Sequence, residues 1–86
     1  MIRHVELGDS AFTRAKALKR LIDKGKILIG GNRRLKIYGK LSCGSGKRMK
    51  PDNRVFFTDE QEAKANDFRP CGHCLREAYQ KWKALN

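Results

Sequence analysis

The three cysteines of this 86-residue chain lie in two short segments that are far apart in the sequence. Cys43 ends the segment of residues 37–43, and Cys71 and Cys74 form a Cys-x-x-Cys pair. Such a pair can direct two thiolates at one ion, and a thiolate from a distant segment can bind the same ion from another side. An odd number of cysteines without an export signal also argues against a disulfide framework. We therefore interpret the three cysteines as metal ligands.

Zinc suits these donors, because it takes four ligands in a tetrahedron and prefers thiolates and histidine nitrogens. Cys74 lies at the N-terminus of a predicted helix, where the helix dipole favours a thiolate. The fourth ligand stays open: His73 lies between the paired cysteines, His4 would have to fold back, and an aspartate or water would also serve. The alternative is that the thiols are buried or redox-active and bind no metal. We expect one zinc ion held by Cys43, Cys71 and Cys74.

The distribution of charge indicates a polyanionic partner. The net charge is +11, and residues 1–50 hold 14 Lys and Arg against three acidic residues, whereas residues 51–86 hold six of each. No Asp or Glu occurs between residues 24 and 51. Nucleic acid is the simplest partner for such a surface, and a solubilising basic face is the alternative. The basic segment 44–51 lacks the spacing of a phosphate-binding loop, which argues against a nucleotide hydrolase.

Length and composition indicate one small globular domain. A chain of 86 residues buries a modest fraction of its surface, and a structural metal is one way to stabilise it. Hydrophobic residues make up 40% and charged residues 34%, which is not the composition of a disordered chain. The N-terminus has no apolar signal segment, and apolar runs such as residues 27–29 are too short to span a membrane. We therefore expect a cytoplasmic protein without membrane contact, and the sequence predicts no oligomeric state.

Local patterns predict the elements that must position the cysteines. Asp9 or Ser10 can cap a first helix, and Gly25 can end it. Residues 30–32 carry a turn signal between two alternating segments, and residues 58–61 form a capping box. The predicted elements are, in chain order, a helix to about residue 24, strands over residues 26–29, 34–38 and 55–57, a helix over about 58–65 and a helix over about 73–85. This order predicts an α+β fold with a short antiparallel sheet, an N-terminal helix and two C-terminal helices.

Several separate segments together resemble the N-terminal zinc-binding domain of the Ada DNA-repair proteins. They are I-Y-x-x-x-x-C at residues 37–43, N-R-V-F-F at 53–57, E-A at 62–63 and F-R-P-C-x-x-C at 68–74. Their order and spacing make the resemblance specific, and it covers about residues 27–80. It implies a single domain over residues 1–86, in which residues 1–25 are a helical extension and residues 26–86 are an Ada-like zinc-binding module.

In that family four cysteines bind zinc, and the first of them accepts a methyl group from a methylphosphotriester in the DNA backbone. The resemblance implies that Cys43, Cys71 and Cys74 are zinc ligands, and it aligns Gly39 with the nucleophilic cysteine. Glycine can neither bind zinc nor accept a methyl group through its side chain, so we expect no methyl transfer and no catalytic residue. A gapped alignment would instead move Cys43 to the nucleophile position, but the ungapped one agrees better with Tyr38 and the spacing.

We therefore expect the protein to be a zinc-binding module that binds the phosphate backbone of duplex DNA and catalyses no reaction. Zinc with three thiolates and a neutral fourth ligand is less negative than zinc with four thiolates, which would favour contact with phosphate. Two alternatives stay open: a methyl acceptor for DNA repair that uses Cys43, and a zinc-stapled domain that binds RNA or another protein. The candidate phosphate contacts are the basic residues around the cysteines: Lys40, Lys47, Arg48, Lys50, Arg54 and Arg69.

Overall fold

The computed structural model describes residues 1–43 and 49–85 of the chain. Within these ranges the α-helices are α1 (Ala11–Asp23), α2 (Glu60–Ala65) and α3 (Arg76–Leu85). The strands are β1 (Ile2–Arg3), β2 (Ile29–Asn32), β3 (Ile37–Lys40), β4 (Arg54–Phe57) and β5 (Arg69–Pro70). Short 3-10 helices at His4–Leu7 and Pro51–Asn53 precede α1 and β4. None of the helices described is both long and apolar enough to cross a membrane.

All five strands form one sheet in the order β1-β4-β2-β3-β5. The first four strands in this order pair antiparallel, and β5 pairs parallel with β3. The predicted α+β fold, with a short antiparallel sheet, one helix before it and two after it, is confirmed. The strands β1 and β5 were not predicted, because two residues are too few to show an alternating pattern.

The turn between β2 and β3 lies later in the chain than the sequence predicts. Residues 30–32 were predicted as the turn, but they belong to β2. The chain instead turns after Asn32, whose side-chain oxygen accepts hydrogen bonds from the backbone N–H groups of Arg34 and Leu35, both at 3.0 Å. Lys36 closes the turn with a φ of 59°. An Asn side chain that mimics a backbone turn therefore outweighs the glycine signal.

The glycines of β2 serve close packing instead of a turn. Gly30 stands directly opposite Gly39 of β3. A Cβ at Gly31 would lie 3.0 Å from the ring of Phe57 and 3.2 Å from the ring of Phe68. Glycine in a strand often marks such a close approach, which explains why the turn prediction was wrong.

The hydrophobic core lies on the sheet face that α2 covers. Tyr38 projects from β3 and Val55 and Phe57 project from β4, on either side of β2, and Ala63 of α2 and Phe68 complete the cluster. The rings of Phe57 and Phe68 meet edge to face, with centroids 4.9 Å apart. Because side chains alternate along a strand, Gly30 and Gly39 belong to the opposite face.

Side-chain caps fix the starts of the first two helices. The hydroxyl oxygen of Ser10 accepts a hydrogen bond from the N–H of Thr13 at 3.1 Å, and α1 ends before Gly25, which has a φ of 68°. The carboxylate of Asp59 accepts a hydrogen bond from the N–H of Glu62 at 2.9 Å at the start of α2. Ser10 is one of the two caps predicted for α1, whereas the cap of α2 lies one residue later than in the capping box predicted at residues 58–61.

Candidate metal centre

The three cysteines meet at one end of the pair formed by β3 and β5. The sulfur atoms of Cys43, Cys71 and Cys74 all lie within 4.8 Å of one another. Since a Zn–S bond is about 2.3 Å, sulfurs around a tetrahedral zinc stand about 3.8 Å apart. Small side-chain rotations can therefore bring all three thiolates onto one ion.

Backbone hydrogen bonds of β3 hold the cysteines in place. The N–H of Cys71 donates to the carbonyl of Tyr38 at 2.8 Å, which ties the Cys-x-x-Cys segment to β3. Two residues further along β3, the N–H of Lys40 donates a hydrogen bond to the sulfur of Cys74 at 3.3 Å. A tight turn then leads to Cys43, whose N–H donates to the carbonyl of Lys40 at 3.0 Å. The end of β3 thus contacts all three cysteines.

The Cys-x-x-Cys segment forms a turn and not the first turn of the last helix. The N–H of His73 donates to the sulfur of Cys71 at 3.4 Å, and the N–H of Leu75 donates to the carbonyl of Cys71 at 3.0 Å. The helix α3 therefore begins at Arg76, whereas the sequence predicted a start near residue 73. Amide donors of this kind favour a sulfur in its thiolate form.

Burial raises the pKa of the Cys74 thiol to about 11. The N–H of Lys40 acts in the opposite direction, and the nearby thiols of Cys43 and Cys71 add to the rise. At neutral pH this thiol therefore stays protonated unless a cation compensates for the charge of the thiolate. A divalent metal does so, because a coordinating thiol is deprotonated by the ion itself. The donor set, three clustered sulfurs with amide hydrogen bonds, fits zinc.

Neither histidine belongs to the thiol cluster. His4 is only 8% exposed, and its ring packs 5.7 Å from the ring of Phe56. His73 is exposed in the Cys-x-x-Cys turn. Within residues 1–43 and 49–85, no His, Asp or Glu brings a ligand atom within 4.8 Å of all three sulfurs. The remaining residues, 44–48 and 86, contain no Cys, His, Asp or Glu at all.

Gly39 faces the cluster from β3. A Cβ at this position would lie 2.8 Å from the sulfur of Cys74 and 3.3 Å from the Cβ of Cys71. Any side chain at residue 39 would therefore point among the cysteines. The backbone of β3 presents a position suited to a fourth ligand, and the residue there has no side chain.

Residues 19–77 match the family described as the metal binding domain of Ada. The chain belongs to this family. No curated protein and no solved structure is significantly similar to it. The match starts within α1 and ends just inside α3, so it includes the three cysteines and Gly39. The resemblance to the Ada zinc-binding domain stated from the sequence is confirmed, and the thiol cluster agrees with a zinc-binding domain of that family.

The basic residues named from the sequence have different surroundings in this Ada domain. Lys40 and Lys50 are exposed, and Arg54 is half-buried. Lys40 and Arg54 line a cavity that Cys43 and Cys71 also line, on the sheet face of Gly39. The other two candidates in the basic loop, Lys47 and Arg48, lie outside the described residues.

Arg69 packs against α3. Its guanidinium carbon lies 5.3 Å from the ring centroid of Tyr79 and 5.6 Å from that of Trp82, and these two rings stack with centroids 5.9 Å apart. The same guanidinium donates a hydrogen bond to the carbonyl of Pro70 at 3.2 Å. This arrangement is a cation–π contact that joins β5 to the last helix.

Sequence reasoning missed a group of basic side chains from the N-terminal segment. In the described parts of the chain, Arg3 Nε, His4 Nδ1 and Arg14 Nε are buried and have no hydrogen-bond partner. Burial lowers the pKa of His4, and the charges of Arg54 and Arg14 lower it further. His4, Arg14 and Arg54 therefore lie close together, although no sequence signal links the N-terminal segment to Arg54.

Proposed function

We propose that this Ada domain uses zinc as a structural ion, binds the phosphate backbone of duplex DNA and transfers no methyl group. The observation that carries the proposal is the position of Gly39. A side chain at Gly39 would point among the three sulfurs, and the resemblance aligns this position with the methyl-accepting cysteine of the family. A glycine there removes the nucleophile and leaves the three remaining sulfurs to hold the metal.

The burial of Cys43 also argues against methyl transfer. This side chain is 7% exposed and lies at the end of the turn that follows β3. A methylphosphotriester is part of the DNA backbone, so its methyl carbon has to reach the sulfur directly. A buried thiol gives it no path unless the turn opens, which makes the alternative with Cys43 as acceptor the weaker one.

The charge of the domain supports binding to a polyanion. The net charge is +11, and Lys40 and Lys50 are exposed on either side of the loop that follows Cys43. Phosphate oxygens are strong acceptors for Lys and Arg, and such contacts give affinity without sequence preference. We therefore propose Lys40, Lys50 and Arg54, with Lys47 and Arg48 of the loop, as backbone contacts, and a structural role for Arg69.

The N-terminal extension belongs to the same proposal. Its strand β1 pairs with β4, so we treat residues 1–86 as one domain. The extension also adds positive charge, since Arg3 belongs to β1 and Arg14 to α1. We propose that these two guanidinium groups add to the attraction for phosphate.

The test is binding of the zinc-loaded protein to a labelled DNA duplex across a salt series. Affinity should fall steeply with salt, and Lys50→Ala should reduce the slope of log K against log[salt] by about one. Lys64→Ala is the charge-matched control, because Lys64 lies on α2 with its ammonium 3.9 Å from a carboxylate oxygen of Glu60. Equal slopes of log K against log[salt] for both variants would show that Lys50 does not contact the DNA. Absence of binding at low salt would refute the proposed function.

A second experiment addresses methyl transfer. The zinc-loaded protein is incubated with duplex DNA that carries a methylphosphotriester, and its intact mass is measured. We expect an unchanged mass, and a gain of one methyl group on Cys43 would show the alternative to be correct. Stronger binding to structured RNA than to duplex DNA at the same salt concentration would favour the remaining alternative, an RNA-binding domain.

A further inference from the structure

A cavity of about 300 Å³ opens beside the thiol cluster on the sheet face opposite the core. Its floor includes the cross-strand pair Gly30 and Gly39, where the backbone of β2 and β3 carries no side chains. Cys43 and Cys71 line it next to Gly39. The apolar side chains around it include Leu18, Ile22, Leu41, Met49 and Phe56.

The count of protein ligands leaves one coordination position of the zinc to be filled. Zinc in such sites takes four ligands, and the chain brings together three sulfurs. The candidates His4 and His73 lie outside the cluster, and no other Cys, His, Asp or Glu joins it. A site with three protein ligands keeps a place for a molecule from solution, as catalytic zinc sites do.

We propose that this fourth position opens into the cavity and takes the thiolate of a small thiol with an apolar substituent. Sulfur is the donor that a zinc site rich in thiolates prefers. The volume is at the lower end of that of small-molecule sites, and the apolar walls would contact the substituent. Arg54 also lines the cavity, and its positive charge favours an anionic donor.

Binding of the thiol is a ligand exchange without oxidation. The thiol releases its proton to solvent, a sulfur lone pair forms the bond to zinc, and the neutral ligand previously at that position leaves. Gly39 leaves this coordination position open, because any side chain at residue 39 would point among the cysteines, its Cβ 2.8 Å from the sulfur of Cys74 and 3.3 Å from the Cβ of Cys71. The inference depends on the zinc site and not on DNA binding, so either can fail without the other.

The experiment uses protein loaded with Co²⁺, whose sulfur-to-metal charge-transfer absorption rises with each bound thiolate. Phenylmethanethiol should raise this absorption saturably, to the level of four thiolates. 2-Mercaptoethanol, which has the thiol but no ring, should bind at least about tenfold more weakly, because it buries little apolar surface. Benzyl alcohol, which has the ring but no thiol, should leave the absorption unchanged. Loss of cobalt, or no response to phenylmethanethiol, would overturn the proposal.

Two variants separate the coordination position from the cavity. Gly39→Cys should show the absorption of four thiolates without added thiol and should not respond to phenylmethanethiol; a response equal to that of the unaltered protein would contradict the proposal. Gly30→Ala covers the case in which Gly39→Cys binds no cobalt, since its Cβ would lie 3.5 Å from Leu41, an ordinary contact. Gly30→Ala should weaken the binding of phenylmethanethiol and leave the binding of 2-mercaptoethanol unchanged. Equal weakening of both thiols would show that the cavity does not hold the ring.

Discussion

Two neighbouring glycines of β2 offer a direct test of how the sheet is packed. Gly31→Ala adds a methyl group toward the core, where its Cβ would lie 3.0 Å from the Phe57 ring, 3.1 Å from the Ile37 carbonyl oxygen and 3.2 Å from the Phe68 ring. Gly30→Ala adds the same group on the other face, where the nearest atom is the Leu41 side chain at 3.5 Å. Neither glycine has a positive φ, so alanine fits both backbones.

The difference between the two variants isolates the cost of overpacking. Each variant gains about 0.5–1 kcal/mol because alanine restricts the unfolded chain more than glycine does. This gain cancels when the two variants are compared. Overpacking of a core costs about 1–3 kcal/mol, and the carbonyl oxygen of Ile37 is backbone that cannot rotate away from the new methyl group. We therefore expect Gly31→Ala to be less stable than Gly30→Ala by about 1–3 kcal/mol.

The measurement is urea unfolding of both variants and the unaltered protein at one fixed excess of zinc, because zinc binding itself adds stability. The expected difference corresponds to about 4–8 °C in Tm for each kcal/mol in a domain of this size. Gly30→Ala should unfold at the same or a slightly higher urea concentration than the unaltered protein. If Gly31→Ala unfolded at the same urea concentration as Gly30→Ala, the result would contradict the close packing of β2 against the two phenylalanine rings.

Three further outcomes follow from the site and its supports. Cys43→Ser should lower the zinc content after dialysis, and full retention of zinc would exclude Cys43 as a ligand. Burial first, then the hydrogen bond to Glu60, raises the pKa of Tyr38 from 10.0 to about 12. The folded state therefore holds this proton more tightly, so up to about 3 kcal/mol of stability should be lost between pH 10 and 12. Tyr38→Phe should unfold without this loss, and an equal loss in both proteins would contradict the assignment. Arg69→Lys should weaken the contact with α3 by about 0.5–2 kcal/mol, seen as a change in Trp82 fluorescence, and an unchanged spectrum and stability would refute that contact.

The sequence predicted the elements whose signals are local. The side chains of Ser10 and Asp59 cap their helices by accepting hydrogen bonds from N–H groups three residues later in the chain. Gly25 follows the end of α1 with a positive φ. These contacts lie within a few residues, so a pattern of residue types is enough to find them. The positions of β1 and β5 depend on pairing with distant strands, and a two-residue strand carries no pattern of its own.

In the candidate site, the sequence likewise predicted only what depends on residue type and spacing. The types and spacing of the three cysteines indicate a metal, since few other uses need that combination. The direction of Gly39 depends on the register of β3, which the sequence placed earlier in the chain. The packing of Arg69 on Tyr79 and the cavity above Gly30 arise from segments that meet only in the folded chain. No reading of adjacent residues could have supplied them.

The way in which α3 is attached has a consequence for the dynamics of the domain. This helix has no buried residue, and it is joined to the sheet through the contact of Arg69 with its two aromatic rings and through the turn that carries Cys71 and Cys74. Detachment of α3 would therefore disturb the metal ligands first. Because a bound ligand stabilises only the states that can hold it, the free energy of this local opening rises with zinc concentration. The amide hydrogens of α3 then exchange with solvent at a rate set by the zinc in solution, which makes the C-terminal helix a local reporter of metal occupancy.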